Sequence, residues 1–205
     1  MASIRAFAAI RPRKDLTERI AALPYDVYSR EEAKKEVEKE PLSFLKIDRA
    51  ETQFPDSVDT YAPEVYEKAH DTLWEMKKQG EFVQDEAPCF YVYELTMDGR
   101  TQRGLVACAS IDDYQTGVIK KHENTREDKE IDRIRHVDIC NAQTGPIFLS
   151  YRKNPEMEEL IQKAEQEMPI FDFVSPDGIG NKGYPISDPE KVKKIQNNFH
   201  GISKI

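Results

Sequence analysis

The sequence predicts an α+β fold with a mixed, largely antiparallel sheet and helices packed on it. Two β-rich runs, residues 89–96 and 101–111, flank the pair Asp98-Gly99, which is typical of a β-hairpin turn. Residues 62–79 carry apolar side chains at helical spacing, with a proline in the first turn and a glycine just past the end. Strand-like and helix-like segments alternate along the chain without an internal repeat, which favours one mixed fold.

The segments before residue 62 are short and interrupted by prolines. Ser29 and Glu32 have the spacing of a capping box, which predicts that a helix begins there. Pro24 fixes its own backbone angle and restricts the residue before it, which indicates an extended segment or a turn. The other predicted elements are a strand at residues 4–10, a short helix at 15–23, a turn at 24–28 and a strand at 42–47.

The last third of the chain predicts two more helices and three strands. An amphipathic helix is expected over residues 155–168, and a final helix starts at Pro189 with Ser187 or Asp188 as its cap. A buried strand is predicted at residues 146–151. Residues 170–174 and 184–186 are expected to pair around a glycine-containing loop.

Composition and charge exclude several protein classes. The chain of 205 residues has a formal net charge of −8, and no Lys/Arg run dominates one segment, so nucleic-acid binding is not expected. Its three cysteines form no CxxC pair, which is typical of a reducing compartment. The start of the chain is not a secretion signal, and no apolar run reaches the length of a membrane span. A cytoplasmic protein without membrane contact is expected.

The segment around His122 and Glu123 is the strongest candidate for chemistry. These two residues follow a strand-like run and precede a helix on which Thr125 and Asp128 have capping-box spacing. A loop histidine and glutamate can move a proton, and the start of a helix can hold an anion. The alternative interpretation is a solvated, charge-rich helix stabilised by salt bridges. No pair of His, Cys, Asp or Glu has zinc-ligand spacing, so no metal is predicted.

Four motifs occur here in the order seen in a known family. They are Pro24-Tyr25-Asp26-Val27, Pro41-Leu42-Ser43-Phe44-Leu45, His122-Glu123-Asn124-Thr125 followed by Asp132-Arg133, and Pro146-Ile147-Phe148-Leu149-Ser150-Tyr151. In these motifs the chain resembles the uncharacterised "domain of unknown function 1015" family over residues 4–205. The resemblance implies a single α+β domain over residues 1–205 that is the N-terminal half of a longer protein. Its partner would then be the C-terminal half of the same protein.

The resemblance extends more remotely to ParB-like proteins, sulfiredoxins and free serine kinases. It implies an incomplete unit of that fold and a kinase-like phosphotransferase that acts on a small hydroxylated metabolite. ATP or ADP with Mg²⁺ would be the cofactor, without tight binding. Glu123 would be the catalytic base beside His122. The residues expected to bind substrate or phosphate are Lys121, Thr125, Arg126, Arg133, Tyr25 and Asp26.

Two alternatives stay open at this point. For the motif with Tyr25 and Asp26, the residues by themselves favour a turn that proline anchors over a site. The acidic composition and the charge-rich helix also fit a non-catalytic binding or scaffold module, which could form a homo-oligomer. A catalytic pair is expected to line a concave pocket, whereas a scaffold would leave it on a convex surface.

Overall fold

A computed structural model describes residues 1–121, 124–202 and 205, and it divides into two compact units. The sheet unit contains residues 1–11, 84–124 and 147–205, and the helical unit contains residues 12–83 and 125–146. The predicted α+β class with a largely antiparallel sheet is confirmed. The single-domain prediction for residues 1–205 stays a prediction.

The secondary structure of the described residues follows in chain order. The strands are β1 (Ile4–Arg5), β2 (Ile10–Pro12), β3 (Phe82–Gln84), β4 (Phe90–Met97), β5 (Arg100–Val106), β6 (Cys108–Ala109), β7 (Phe171–Val174) and β8 (Gly180–Ile186). The helices are α1 (Thr17–Ile20), α2 (Arg30–Lys39), α3 (Leu45–Asp48), α4 (Pro63–Lys78), α5 (Ile111–Gln115), α6 (Glu127–Cys140), α7 (Pro155–Ala164) and α8 (Pro189–His200). Short 3-10 turns occupy Lys14–Leu16, Tyr25–Val27 and Ala50–Gln53.

The sheet unit contains a four-stranded antiparallel sheet with the strand order β5-β4-β8-β7. Strands β4 and β5 form the predicted hairpin. Its turn residues Asp98 and Gly99 have φ angles of 51° and 75°, as a type I′ turn requires. The two strands predicted around the glycine-containing loop both form, but their predicted pairing was wrong in register: β7 pairs with residues 180–183 of β8, and residues 184–186 pair with β4 instead. Two-stranded ladders join β1 to β6 and β2 to β3.

The core of the sheet unit lies between one face of the sheet and helices α7 and α8. Phe90, Val92, Met157 and Ile195 are completely buried there. Burial of each such side chain stabilises the fold by roughly 1.5–3 kcal/mol. Helix α8 begins as predicted, because the side chain of Asp188 accepts a hydrogen bond from the backbone N–H of Lys191.

The helical unit packs α4 against α6 and α3. Helix α4 confirms the predicted helix at 62–79, and its apolar stripe faces these neighbours. Helix α2 begins with the predicted capping box: Ser29 and Glu32 each bond the other's backbone N–H. Among the residues that the structure describes, no helix is long and apolar enough to cross a membrane.

Two predicted strands were wrong. The run at 42–47 contains the start of helix α3, and the Ser43 hydroxyl accepts a bond from the backbone N–H of Leu45 at this start. A short apolar run fits a buried helix as well as a buried strand, so periodicity could not separate them. Residues 146–151 form no strand, and Ile147 and Phe148 are largely exposed.

Candidate functional site

Helix α6 in the helical unit buries polar side chains and exposes apolar ones. Asp132, His136 and Cys140 follow one another at four-residue intervals, so they lie on one face, and all three are buried. Ile131 and Ile134 are 42% and 59% exposed. A helix that packed for stability alone would show the reverse pattern. We call Asp132, Arg133, His136 and Cys140, together with Asp48 and Tyr66, the α6 cluster.

The carboxylate of Asp132 is held by two neighbours. Its Oδ1 accepts a hydrogen bond of 2.8 Å from the hydroxyl of Tyr66 on α4. Its Oδ2 accepts bonds from Nε and Nη2 of Arg133, at 3.1 and 2.9 Å. Burial raises the pKa of Tyr66, and the bond to Asp132 raises it further. Tyr66 therefore stays a hydrogen-bond donor at any physiological pH.

Arg133 is fixed on two sides. Its Nε–Nη2 edge binds Asp132, and its Cζ lies 4.2 Å from the centroid of the Tyr25 ring, a cation–π contact. The side chain remains 30% exposed. Within the described part of the chain, no hydrogen bond occupies its Nη1. The guanidinium thus has a set orientation and unused donors.

Tyr25 belongs to a turn that a second arginine holds. We call residues 24–28 the 24–28 turn. Nη1 of Arg49 donates to the carbonyl oxygens of Tyr25 and Tyr28, at 2.9 and 2.6 Å. Nε of Arg49 in turn donates to Glu51, at 2.6 Å. Asp26 is exposed in this turn, and its carboxylate has no hydrogen bond or ion pair to any described residue.

His136 lies between an acid and a thiol in the buried part of the α6 cluster. Its Nε2 is 3.5 Å from Oδ1 of Asp48 and 3.8 Å from Sγ of Cys140. Among the described residues, none donates a hydrogen bond to this buried Oδ1. Such an atom in a native fold needs an explanation, because it has lost its hydration without a replacement.

Burial dominates the protonation of these groups. It raises the pKa of Asp48 to about 6, although Thr144 and the charge of Arg133 offset part of the rise. Burial also lowers the pKa of His136 to about 4 and raises the pKa of the Cys140 thiol to about 11. At neutral pH the histidine is therefore neutral and the thiol is protonated.

This geometry argues against thiol catalysis. A Cys-His-Asp arrangement needs the thiol and the acid on opposite ring nitrogens, so that one nitrogen accepts the thiol proton while the other is oriented. Here Asp48 and Cys140 approach the same nitrogen of His136. In the described ranges, no group of three or more His, Cys, Asp or Glu residues is arranged to hold a metal ion.

One comparison with known proteins gives a match. Residues 4–205 match the family described as "Protein of unknown function (DUF1015)". The chain belongs to the DUF1015 family. No curated protein and no solved structure matches it significantly. The family resemblance of the sequence motifs is thereby confirmed over the whole matched range.

The structure places the predicted site residues of this DUF1015 chain in different surroundings. It brings Tyr25 and Arg133 into contact. His122 and Glu123 lie outside the described residues. Lys121 is exposed in the sheet unit, and Thr125 is exposed in the helical unit.

The predicted capping box of Thr125 and Asp128 was wrong. Helix α6 of the DUF1015 chain begins at Glu127, with Arg126 as its cap residue and no side-chain cap bond. The guanidinium of Arg126 instead pairs with Asp128, at 3.0 and 2.8 Å. This local ion pair removes the Asp128 carboxylate from the backbone N–H that a capping box would require.

Sequence reasoning missed six residues of this DUF1015 site: Asp48, Arg49, Glu51, Tyr66, His136 and Cys140. Asp48, Arg49 and Glu51 lie in a region where the sequence has no periodicity. One pattern could have indicated the site. The four-residue spacing of Asp132, His136 and Cys140 places them on the same face of the helix, and this face carries polar side chains.

Proposed function

We propose that this protein forms the phosphate-binding part of a nucleotide-dependent phosphotransferase that acts on a small hydroxylated metabolite. The observation that carries the proposal is the fixed orientation of Arg133, with an unused Nη1 and partial exposure. An arginine that is already ordered binds an anion with less loss of side-chain entropy than a free one. Its planar donors also match the oxygen atoms of a phosphate group.

Phosphoryl transfer requires positioning and charge stabilisation more than covalent chemistry by the protein. In the proposed site, Arg133 contacts a phosphate oxygen while Asp132 and Tyr25 keep its guanidinium in place. Arg126 adds positive charge, Thr125 adds a hydroxyl donor, and the exposed Asp26 accepts a hydrogen bond from a substrate hydroxyl. Lys121 stays a sequence-based prediction for phosphate binding.

Glu123 is proposed as the base that takes the proton of the acceptor hydroxyl, with His122 beside it. ATP or ADP with Mg²⁺ is the proposed cofactor. The proposal includes the remote similarity to ParB-like proteins and sulfiredoxins, a cytoplasmic location and a C-terminal half that completes the phosphate site. These points rest on the sequence motifs, because the family to which the chain belongs is one of unknown function.

The test is a titration of the protein with inorganic phosphate and with ATP and Mg²⁺, followed by NMR of the arginine Nε–Hε groups. We expect the Arg133 resonance to shift with a saturable dependence on ligand. Arg133→Lys keeps the charge but loses the planar donors, and Arg133→Ala loses both, so affinity should fall in that order.

The matched control is Arg135→Ala, because Arg135 lies on the same helix and is exposed. This variant removes the same charge two residues away and should change affinity little. The proposal is contradicted if neither ligand shifts Arg133, or if the two alanine variants weaken binding equally.

A second candidate function, a non-catalytic binding module, is favoured by the exposed isoleucines of α6. Ile131 and Ile134 present apolar surface beside the α6 cluster. A homo-oligomer that uses this face should dissociate in the variant Ile131→Ser/Ile134→Ser, as measured by sedimentation over a range of concentrations. The phosphotransferase proposal expects this variant to bind phosphate like the unmodified protein.

A further inference from the structure

The ion pair of Arg49 and Glu51 is unusually buried for two charged residues. Their side chains are 14% and 3% exposed, and Nε of Arg49 lies 2.6 Å from Oε1 of Glu51. Removing two charges from water costs about as much as their attraction returns, so a buried ion pair is weak evidence for stability alone. Such a pair is better explained by the geometry that it imposes.

That geometry is directed at the 24–28 turn. The Nη1 group of Arg49 donates to the carbonyl oxygens of both Tyr25 and Tyr28. One guanidinium therefore binds Glu51 on one side and both ends of a 3-10 turn on the other. A lysine has one nitrogen only, so it could not bind the two carbonyls through one nitrogen and Glu51 through another, as Arg49 does.

The turn also carries the ring that supports Arg133. The Tyr25 backbone is held by Arg49, and the Tyr25 ring lies under the guanidinium of Arg133. Asp132 binds only the Nε–Nη2 edge of the Arg133 guanidinium. The tilt of the guanidinium plane therefore depends on where the Tyr25 ring is held.

We infer that Arg49 and Glu51 are positioning residues that hold Tyr25 beneath Arg133 and so preset Arg133 for an anionic, phosphate-bearing ligand. Neither residue needs to touch the ligand. The ligand part of this inference rests on the function proposed above. The positioning part is independent of any ligand.

The positioning part is tested without ligand by NMR of Arg133 Nε–Hε. The Tyr25 ring shifts the resonances of the group stacked on it, and Tyr25→Leu supplies the reference position for the lost stack. Arg49→Lys should move the Arg133 resonance toward that reference. Glu51→Gln, which keeps the shape of the side chain, should move the Arg133 resonance in the same direction. It replaces Arg49→Lys as the test variant if that protein does not fold.

The matched control is Arg30→Lys. Arg30 also donates to two loop carbonyls, those of Val58 and Pro55, at 2.8 and 3.2 Å. Its replacement removes the same kind of bond from a different loop, so the Arg133 resonance should stay in place. If Arg49→Lys and Glu51→Gln both leave the Arg133 resonance unchanged, the inference is overturned.

Phosphate binding separates this inference from the proposed function. If the unmodified protein binds inorganic phosphate, Arg49→Lys should weaken binding by roughly three- to tenfold, as expected for loss of one cation–π support. Equal affinity in Arg49→Lys and the unmodified protein would overturn the link to the ligand. If the unmodified protein binds no phosphate but the resonance moves, positioning is supported and the proposed function fails.

Discussion

The hydroxyl of Tyr66 lies 2.8 Å from Oδ1 of Asp132 and joins α4 to α6 through a buried acid. Asp132 uses its other oxygen for Arg133, so this hydroxyl satisfies the remaining acceptor. A buried acceptor that loses its donor destabilises a fold more than an ordinary hydrogen bond stabilises it. The pair therefore connects the stability of the helical unit to the orientation of Arg133.

Tyr66→Phe should lower the free energy of unfolding by about 1–3 kcal/mol, because it leaves Oδ1 of Asp132 without a donor. Urea denaturation followed by circular dichroism measures this change. Tyr61→Phe is the control, since Tyr61 is exposed and its hydroxyl only accepts a bond from Lys129. Equal effects of the two variants would show that the Asp132 contact contributes nothing.

Asp48→Asn should stabilise the protein more at pH 7.5 than at pH 4.5. The folded-state pKa of Asp48, about 6, lies above its ordinary value of 3.8, so its protonated form favours folding. That contribution is complete below the ordinary value and is lost as pH rises through 6. The variant has no charge to bury at this position. The gain in the free energy of unfolding that it brings should therefore be larger at pH 7.5 than at pH 4.5, by on the order of 2 kcal/mol.

Urea denaturation at both pH values tests the Asp48 prediction. His136 has the opposite dependence, because its lowered pKa removes stability as pH falls from 6.5 to about 4. The comparison of variant with unmodified protein at each pH removes the part of this effect that the two proteins share. Asp138→Asn, which removes an exposed acid of α6, is the control. A pH-independent effect of Asp48→Asn would contradict the assignment.

Gly183→Ala should destabilise the sheet unit, whereas Gly104→Ala should not. A Cβ atom at Gly183 would lie 2.4 Å from the ring of Phe171, but one at Gly104 would meet nothing within 4 Å. Overpacking of this kind costs roughly 1–3 kcal/mol. Thermal unfolding of both variants measures the difference. A smaller side chain in Phe171→Leu should restore tolerance of Gly183→Ala, and failure of this rescue would argue against the ring contact.

Cys108 should react with iodoacetamide well before Cys89 and Cys140. Cys108 is exposed, while the other two are buried. Burial also raises the pKa of both buried thiols, so little of the reactive thiolate forms. Intact mass and peptide mapping in native buffer should show one modified site, and in urea three. Early modification of Cys140 would mean that the α6 cluster opens readily.

The local part of the fold could be predicted from the sequence, but its long-range part could not. Helix α4 was predicted almost to the residue, because proline begins it and an apolar stripe runs its length. The apolar stripe does not indicate which surface it packs against. The helices were expected to pack on the sheet, but α4 packs on α6 and α3. The run at 42–47 was too short for its periodicity to separate helix from strand.

The candidate site shows the same limit. Tyr25 and Arg133 were both predicted as site residues, and they are in contact. Asp48 is different, because no sequence pattern indicates that the end of α3 lies against His136. Contacts between distant segments depend on the packing of whole helices, which a single sequence does not encode in local form.

The sheet unit consists of three separate segments of the chain, so its parts leave the ribosome at different times. Strand β8 pairs with both β4 and β7, yet it is synthesised long after β4. The helical unit ends at residue 146 and is complete before β8 emerges. During that interval Phe90 and Val92 of β4 lack the strand and the helices that later cover them. The nascent chain is thus most exposed to misfolding and to chaperone capture between the synthesis of β4 and that of β8.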